Sequence, residues 1–139
     1  MSKHETPMTL AFWQHCANGA LMEEYRLVAK ATDRSPRYAD AIILPDMPMQ
    51  RYQRSEHIDL KGKNIIVVQA KARRMGMYLM GQALFSARLA IQIGAISVRS
   101  ILLCTKSDAA MLPLLAPFPE VEVWTHDISA GDKAPRRAE

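Results

Sequence analysis

Eight residues dominate what this chain can fold into: Asn64-Ile65-Ile66-Val67-Val68-Gln69-Ala70-Lys71. Four β-branched side chains in succession are stiff at χ1 and favour extended backbone. The run is continuously apolar rather than alternating, which predicts a strand covered on both faces, and so a central strand. Gln69 and Lys71 close the run two positions apart, and a period of two puts them on one face. Such a strand needs neighbouring strands on its edges and helices above and below, and the rest of the chain supplies candidates for both.

Thr6-Pro7 offers a helix start and Asn18-Gly19 a stop, so a helix is expected over Met8–Ala17. Residues 20–29 fit either a strand or a short helix, and the preceding Asn-Gly break favours the strand. Arg37–Leu44 reads as a strand ended by Pro45. Residues 46–63 form a polar connection, with an edge strand expected around His57–Leu60. Met75–Ile93 reads as a helix with Met75, Leu79, Gln82, Ser86 and Leu89 near one side and Gly94 as its stop. Ser97–Cys104 is a buried strand, Ser107-Asp108 caps a short helix over Ala109–Leu115, and Val121–His126 is a last strand. The order of helix, two or three strands, helix, strand, helix, strand predicts an α/β layer architecture around a mixed sheet.

With 139 residues, this is one domain, expected over 1–126, followed by a flexible tail over 127–139 that carries few apolar side chains. A domain of this size needs no disulfide or structural zinc. Cys16 and Cys104 lack any paired or metal-ligand spacing and read as buried small hydrophobes in a reducing, cytoplasmic setting. The polar N-terminus has no apolar segment behind it, so neither a secretory signal nor a membrane span is expected. No Gly-rich phosphate loop, no HExxH and no GxSxG is present.

The chemistry concentrates at the end of the central strand. Asp40 on one strand and Gln69-x-Lys71 on another put an acid, an amide and an ammonium around one point. Oxygen donors of this kind suit a hard divalent cation. An ammonium beside it can hold a water or stabilise charge at phosphorus. An upstream carboxylate pair, Glu23 and Glu24, offers a further acid.

Asp40, the strand IIVVQAK and the following helix with Gln82 resemble the PD-(D/E)xK nuclease superfamily, over roughly residues 8–105. The resemblance implies a restriction-endonuclease-like three-layer fold, with a mixed central sheet flanked by helices. It implies Mg2+ or Mn2+ as cofactor and DNA phosphodiester hydrolysis as activity. Asp40 matches the metal-binding Asp, although Ala39 stands where the motif has Pro. Gln69 stands at the position of the second acid, where Gln is a known variant, and Lys71 matches the catalytic Lys. The carbonyl of Ala70 would be a further metal ligand, and Glu24 or its neighbour Glu23 the upstream acid. Gln82, with Tyr78 one turn before it, resembles an auxiliary Gln of some branches. Because Gln69 brings no charge, a non-catalytic relative that binds nucleic acid or a protein partner is the alternative.

Charge placement fits an anionic partner. The whole chain carries a formal net charge of +4, yet residues 50–74 alone hold seven Lys and Arg against two acidic residues. Arg51, Arg54, Lys61, Lys63, Arg73 and Arg74 are therefore expected to contact a phosphate backbone. The apolar helix 75–93 could pack in a homodimer.

Overall fold

The computed structural model describes residues 3–139. The continuous run becomes β4 (Asn64–Ala70), buried from Ile65 to Ala70. It lies at the centre of a seven-stranded mixed sheet in the order β3-β1-β2-β4-β5-β6-β7. The other strands are β1 (Ala20–Val28), β2 (Arg37–Leu44), β3 (Gln50–Arg51), β5 (Ser97–Cys104), β6 (Val121–Thr125) and β7 (Arg136–Arg137). β1, β2 and β4 run antiparallel in succession, whereas β4, β5 and β6 are parallel.

Two helices cover the sheet, one on each face, which gives three α/β layers. Helix α1 (Glu5–Phe12) packs Met8 and Phe12 against Ile43, Ile66, Val68, Ile101 and Leu103. Helix α2 (Met77–Gln92) buries Leu79, Ala83, Ser86, Ala87 and Ala90 on the opposite face. Four of those five side chains are small, so the helix can lie close to the strands, and Ser100 Oγ donates to Ala83 O at 2.6 Å across the gap. No helix among the described residues is long and apolar enough to cross a membrane.

Helix α1 ends in a way its sequence does not announce. From Trp13 to Ala17 it widens into a π-turn, and Asn18 N–H closes onto Trp13 O at 2.7 Å. Asn18 and Gly19 then both take positive φ, 62° and 81°. A Cβ on Gly19 would collide with Leu44 O, so glycine is required where the chain enters β1.

The β1–β2 hairpin carries a phase reversal. Ala20 and Met22 pack with the α2-side core and Leu21 with the α1-side core, yet beyond Glu24 it is Tyr25 and Leu27 that join the α2 side. In β2, Ile42 and Leu44 face α2 and Ala41 and Ile43 face α1, but Ala39 returns to the α2-side core. Both strands therefore turn over at the same level. Glu23 pairs Ala41 and Tyr25 pairs Ala39, which leaves Glu24 and Asp40 opposite each other. Glu24 reaches this through a left-handed φ of 51°, a conformation costly for a residue with a Cβ.

Three expectations are corrected. Residues 57–60 form no strand; the partner of β1 at that edge is the two-residue β3, which pairs in parallel with Ala20 and Leu21. The helix expected over 109–115 shrinks to a 3-10 turn at Leu112–Leu115, with Asp108 accepting from Ala110 N and Met111 N at 2.8 and 3.2 Å. The 127–139 stretch folds back instead of fraying: it makes a 3-10 turn at Ile128–Ala130 and then β7, and Ala138 N–H bonds Val123 O at 2.8 Å. Short backbone ladders hold it, and those require no apolar side chains. Cys104 is buried and its thiol is pushed up to about 11 by that burial, while Cys16 is only half-buried.

Candidate functional site

The antiparallel register of β2 on β4, Ala41 to Val68 and Ile42 to Val67, brings Asp40 level with Gln69. Two hydrogen bonds lock the level: Ala70 N–H donates to Asp40 Oδ2 at 2.8 Å, and Asp40 N–H donates to Gln69 Oε1 at 3.3 Å. Gln69 is 2% exposed, and its Nε2 donates to Ser86 Oγ on α2 at 2.7 Å. Both ends of the Gln69 amide are thus engaged, as a buried amide requires. Gln69 joins strand, helix and Asp40 and acts here as a strut.

Lys71 is held by continuation of the ladder past β4. Lys71 N–H bonds Leu103 O at 2.9 Å, Thr105 N–H bonds Arg73 O at 3.0 Å and Met75 N–H bonds Lys106 O at 2.9 Å. Residues 71–75 bend at Ala72 and Arg73 yet stay beside the end of β5, where Arg74 bridges Lys106, and α2 starts later than the sequence pattern suggests, after Gly76. Lys71 is close enough to Asp40 to favour its charged form.

Asp40 is electrostatically unsettled. Burial pushes its carboxyl above the ordinary value, and the Ala70 N–H and Lys71 oppose that rise without cancelling it. Glu5, the first residue of α1, adds to the rise as a neighbouring like charge. Sequence reasoning missed Glu5 because Thr6-Pro7 looked like the start of the helix. The usable signal was an acid in the first turn, where the helix dipole favours it.

The other acids go elsewhere. Glu23 is buried and bonds Arg51 through both oxygens, at 2.8 and 3.3 Å. Glu24 stands opposite Asp40 in the ladder, and its carboxylate meets Arg54 at 3.1 Å without that being its sole partner. Glu5 is an acid whose charge acts on Asp40.

Asp40 and Glu5 supply carboxylate oxygens and the strand supplies the Ala70 carbonyl, so the donor set suits a hard divalent cation in kind. Among the described residues no group of three or more His, Cys, Asp or Glu side chains converges. A cation here would rest on two carboxylates, backbone and water. It would also offset the burial, and the weaker like charge of Glu5, that raise Asp40.

The basic residues divide into separate groups. Arg51 and Arg54 are ion-paired with Glu23 and Glu24. Lys61 and Lys63 precede β4, beside Gly94 and Ile96. They lie a full strand length from Lys71, roughly 20 Å. Arg73 and Arg74 stay with Lys71, and the three line a small cavity of about 220 Å³. Next to it a groove of about 660 Å³ has Gln69 and Ser86 in its lining, with Arg37 and Tyr38 from β2 and Tyr78 and Gln82 from α2. The structure thus gathers Asp40, Gln69, Ala70 and Lys71, sets Tyr78 and Gln82 at the neighbouring groove, and leaves Lys61 and Lys63 far off. Comparisons of the chain with protein-family models, with curated proteins and with solved structures return no match.

Proposed function

We propose that this chain is a metal-dependent nuclease of the PD-(D/E)xK type that hydrolyses DNA phosphodiester bonds. The observation that carries the reading is the Ala70 N–H to Asp40 bond, which fixes an acid at the end of the strand that delivers Lys71. The element order α1-β1-β2-β4-α2-β5, with three antiparallel strands and then a parallel one, supports the same restriction-endonuclease-like fold. Asp40 and Glu5 would hold Mg2+ or Mn2+ with the carbonyl of Ala70. The bound ion supplies Lewis-acid charge at the scissile phosphate. Lys71 orients the attacking water and stabilises negative charge growing on the phosphoryl oxygens. Gln69 is a positioning residue that fixes the backbone of Asp40. Arg73 and Arg74 contact the flanking phosphates.

Plasmid cleavage in Mg2+ or Mn2+ tests this. Asp40→Asn and Lys71→Ala are expected to lower the rate about a hundredfold or more, with circular dichroism unchanged. Equal rates in wild type and both variants would sink the reading.

A second reading, a non-catalytic nucleic-acid-binding relative, is favoured by the amide of Gln69, which is hydrogen-bonded at both ends and brings no charge. It predicts salt-sensitive DNA binding that is indifferent to metal. A calorimetric titration in which Mg2+ binds wild type and fails to bind Asp40→Ala would count against it.

A further inference from the structure

We propose that the groove beside Gln69 receives unpaired bases of a nucleic-acid strand whose backbone runs along Lys71, Arg73 and Arg74. This rests on the phosphodiester reading of the neighbouring site and names the form of the substrate.

Three aromatic rings stand around or beside the groove unusually far out of the protein: Tyr38 is 54% exposed, Phe85 64% and Tyr78 75%. Rings so placed on a folded chain leave apolar surface in water, which is unfavourable unless something covers it. Each offers a π-face, the surface on which bases stack irrespective of their identity.

The chemistry around the rings selects a polyanion as the cover. The groove shares Met77 and Tyr78 with the cavity lined by Lys71, Arg73 and Arg74, so ring faces and cations form one continuous surface. Arg37 adds charge on the opposite wall. Unlike Arg51 and Arg54, the guanidinium groups of Arg37, Arg73 and Arg74 have no carboxylate within 4.0 Å among the described residues. An apolar protein partner would leave these cations uncompensated where it covers them, whereas a nucleic-acid strand matches both halves of the surface. Bases inside a duplex are stacked on each other and cannot reach ring faces set in a groove. The surface therefore suits a single strand, a flap or a splayed end.

The test is fluorescence anisotropy in EDTA with a labelled single strand of about 15 nucleotides and with the duplex of the same sequence. Wild type is expected to bind the single strand more tightly. Tyr78→Ala combined with Phe85→Ala should weaken single-strand binding about tenfold or more, leave duplex binding within about twofold, and be rescued at position 78 by Tyr78→Phe. Both substituted side chains are exposed, so the fold is not at risk. Unchanged single-strand affinity in the double variant overturns the inference. A wild type that binds only duplex also overturns it and leaves the nuclease reading standing. A wild type that binds neither likewise overturns it, while the nuclease reading stands or falls by plasmid cleavage in Mg2+ or Mn2+. A dimer that the double variant splits into monomers in sedimentation would instead assign the surface to a second copy of the chain, and overturn it as well.

Discussion

Asp40 and Glu122 are both carboxylates withdrawn from water on the same sheet, and they are treated in opposite ways. Glu122, on β6, is closed on every side. Arg99 meets it through two nitrogens at 2.7 and 2.9 Å, Trp124 Nε1 donates at 3.2 Å and Arg137 lies at 3.6 Å. Burial alone would raise its carboxyl, but the Arg99 and Trp124 bonds outweigh burial and hold it below the ordinary value. Asp40 accepts one backbone N–H and feels nearby positive charge that includes Lys71, yet burial, helped by the weaker like charge of Glu5, wins. The Glu122 cluster is complete without anything added. The Asp40 carboxyl keeps its raised value despite the positive charge around it, and a half-buried acid in that state can gain from a cation.

The largest difference between the two should appear in catalysis. Asp40→Asn is expected to lower cleavage about a hundredfold or more, whereas Glu122→Gln should keep the rate per folded molecule within about twofold of wild type. Comparable losses in both would erase the distinction. Next comes stability, read by chemical denaturation without metal at neutral pH. Glu122→Gln should cost about 2 kcal/mol, because it strands Arg99 and weakens charged hydrogen bonds. Asp40→Asn should leave stability unchanged or raise it by up to about 1 kcal/mol, since the amide oxygen can still accept from Ala70.

The pH dependence sharpens the same contrast. Asp40 titrates higher folded than unfolded, so its charge destabilises above that raised value. The Asn benefit should therefore fade as pH falls towards about 3.9. Glu122 titrates lower folded than unfolded, so its contribution is whole above about 4.3 and is lost as pH falls below that. A pH series in which both variants converge on wild type from the same side would contradict the assignment. The smallest effect belongs to the strut: Ser86→Ala removes one partner of Gln69 and should cost about 1 kcal/mol in melting experiments, with a measurable loss of rate if Gln69 positions Asp40.

The larger elements were legible because each carries its own pattern. Ile65–Val68 announces a buried strand, and Leu79 and Ser86 fall on the helix face that the spacing indicates, although Ala83 rather than Gln82 is the buried residue between them. β3 and β7 were not legible: two residues have no period, and both exist only through ladders to strands distant in sequence. Half of the site was readable for the same reason. Asp40 and Gln69-x-Lys71 sit on strands whose pairing could be inferred. The role of Glu5 could not be read, because its charge comes to act on Asp40 only when α1 packs on the sheet. Nor does any residue type at position 24 warn of a left-handed backbone there.

The simultaneous turnover of β1 and β2 at Glu24 and Asp40 has a consequence for how related chains are compared. Pairing continues through the turnover, with Glu23 on Ala41 and Tyr25 on Ala39. Apolar alternation, however, restarts in the other phase. An alignment scored on hydrophobic periodicity through Asp40 would find a better fit by inserting a gap, and every position on the far side would then be matched to its neighbour. Relatives of this chain are best anchored on the acid itself, with the hairpin aligned outward from it in both directions.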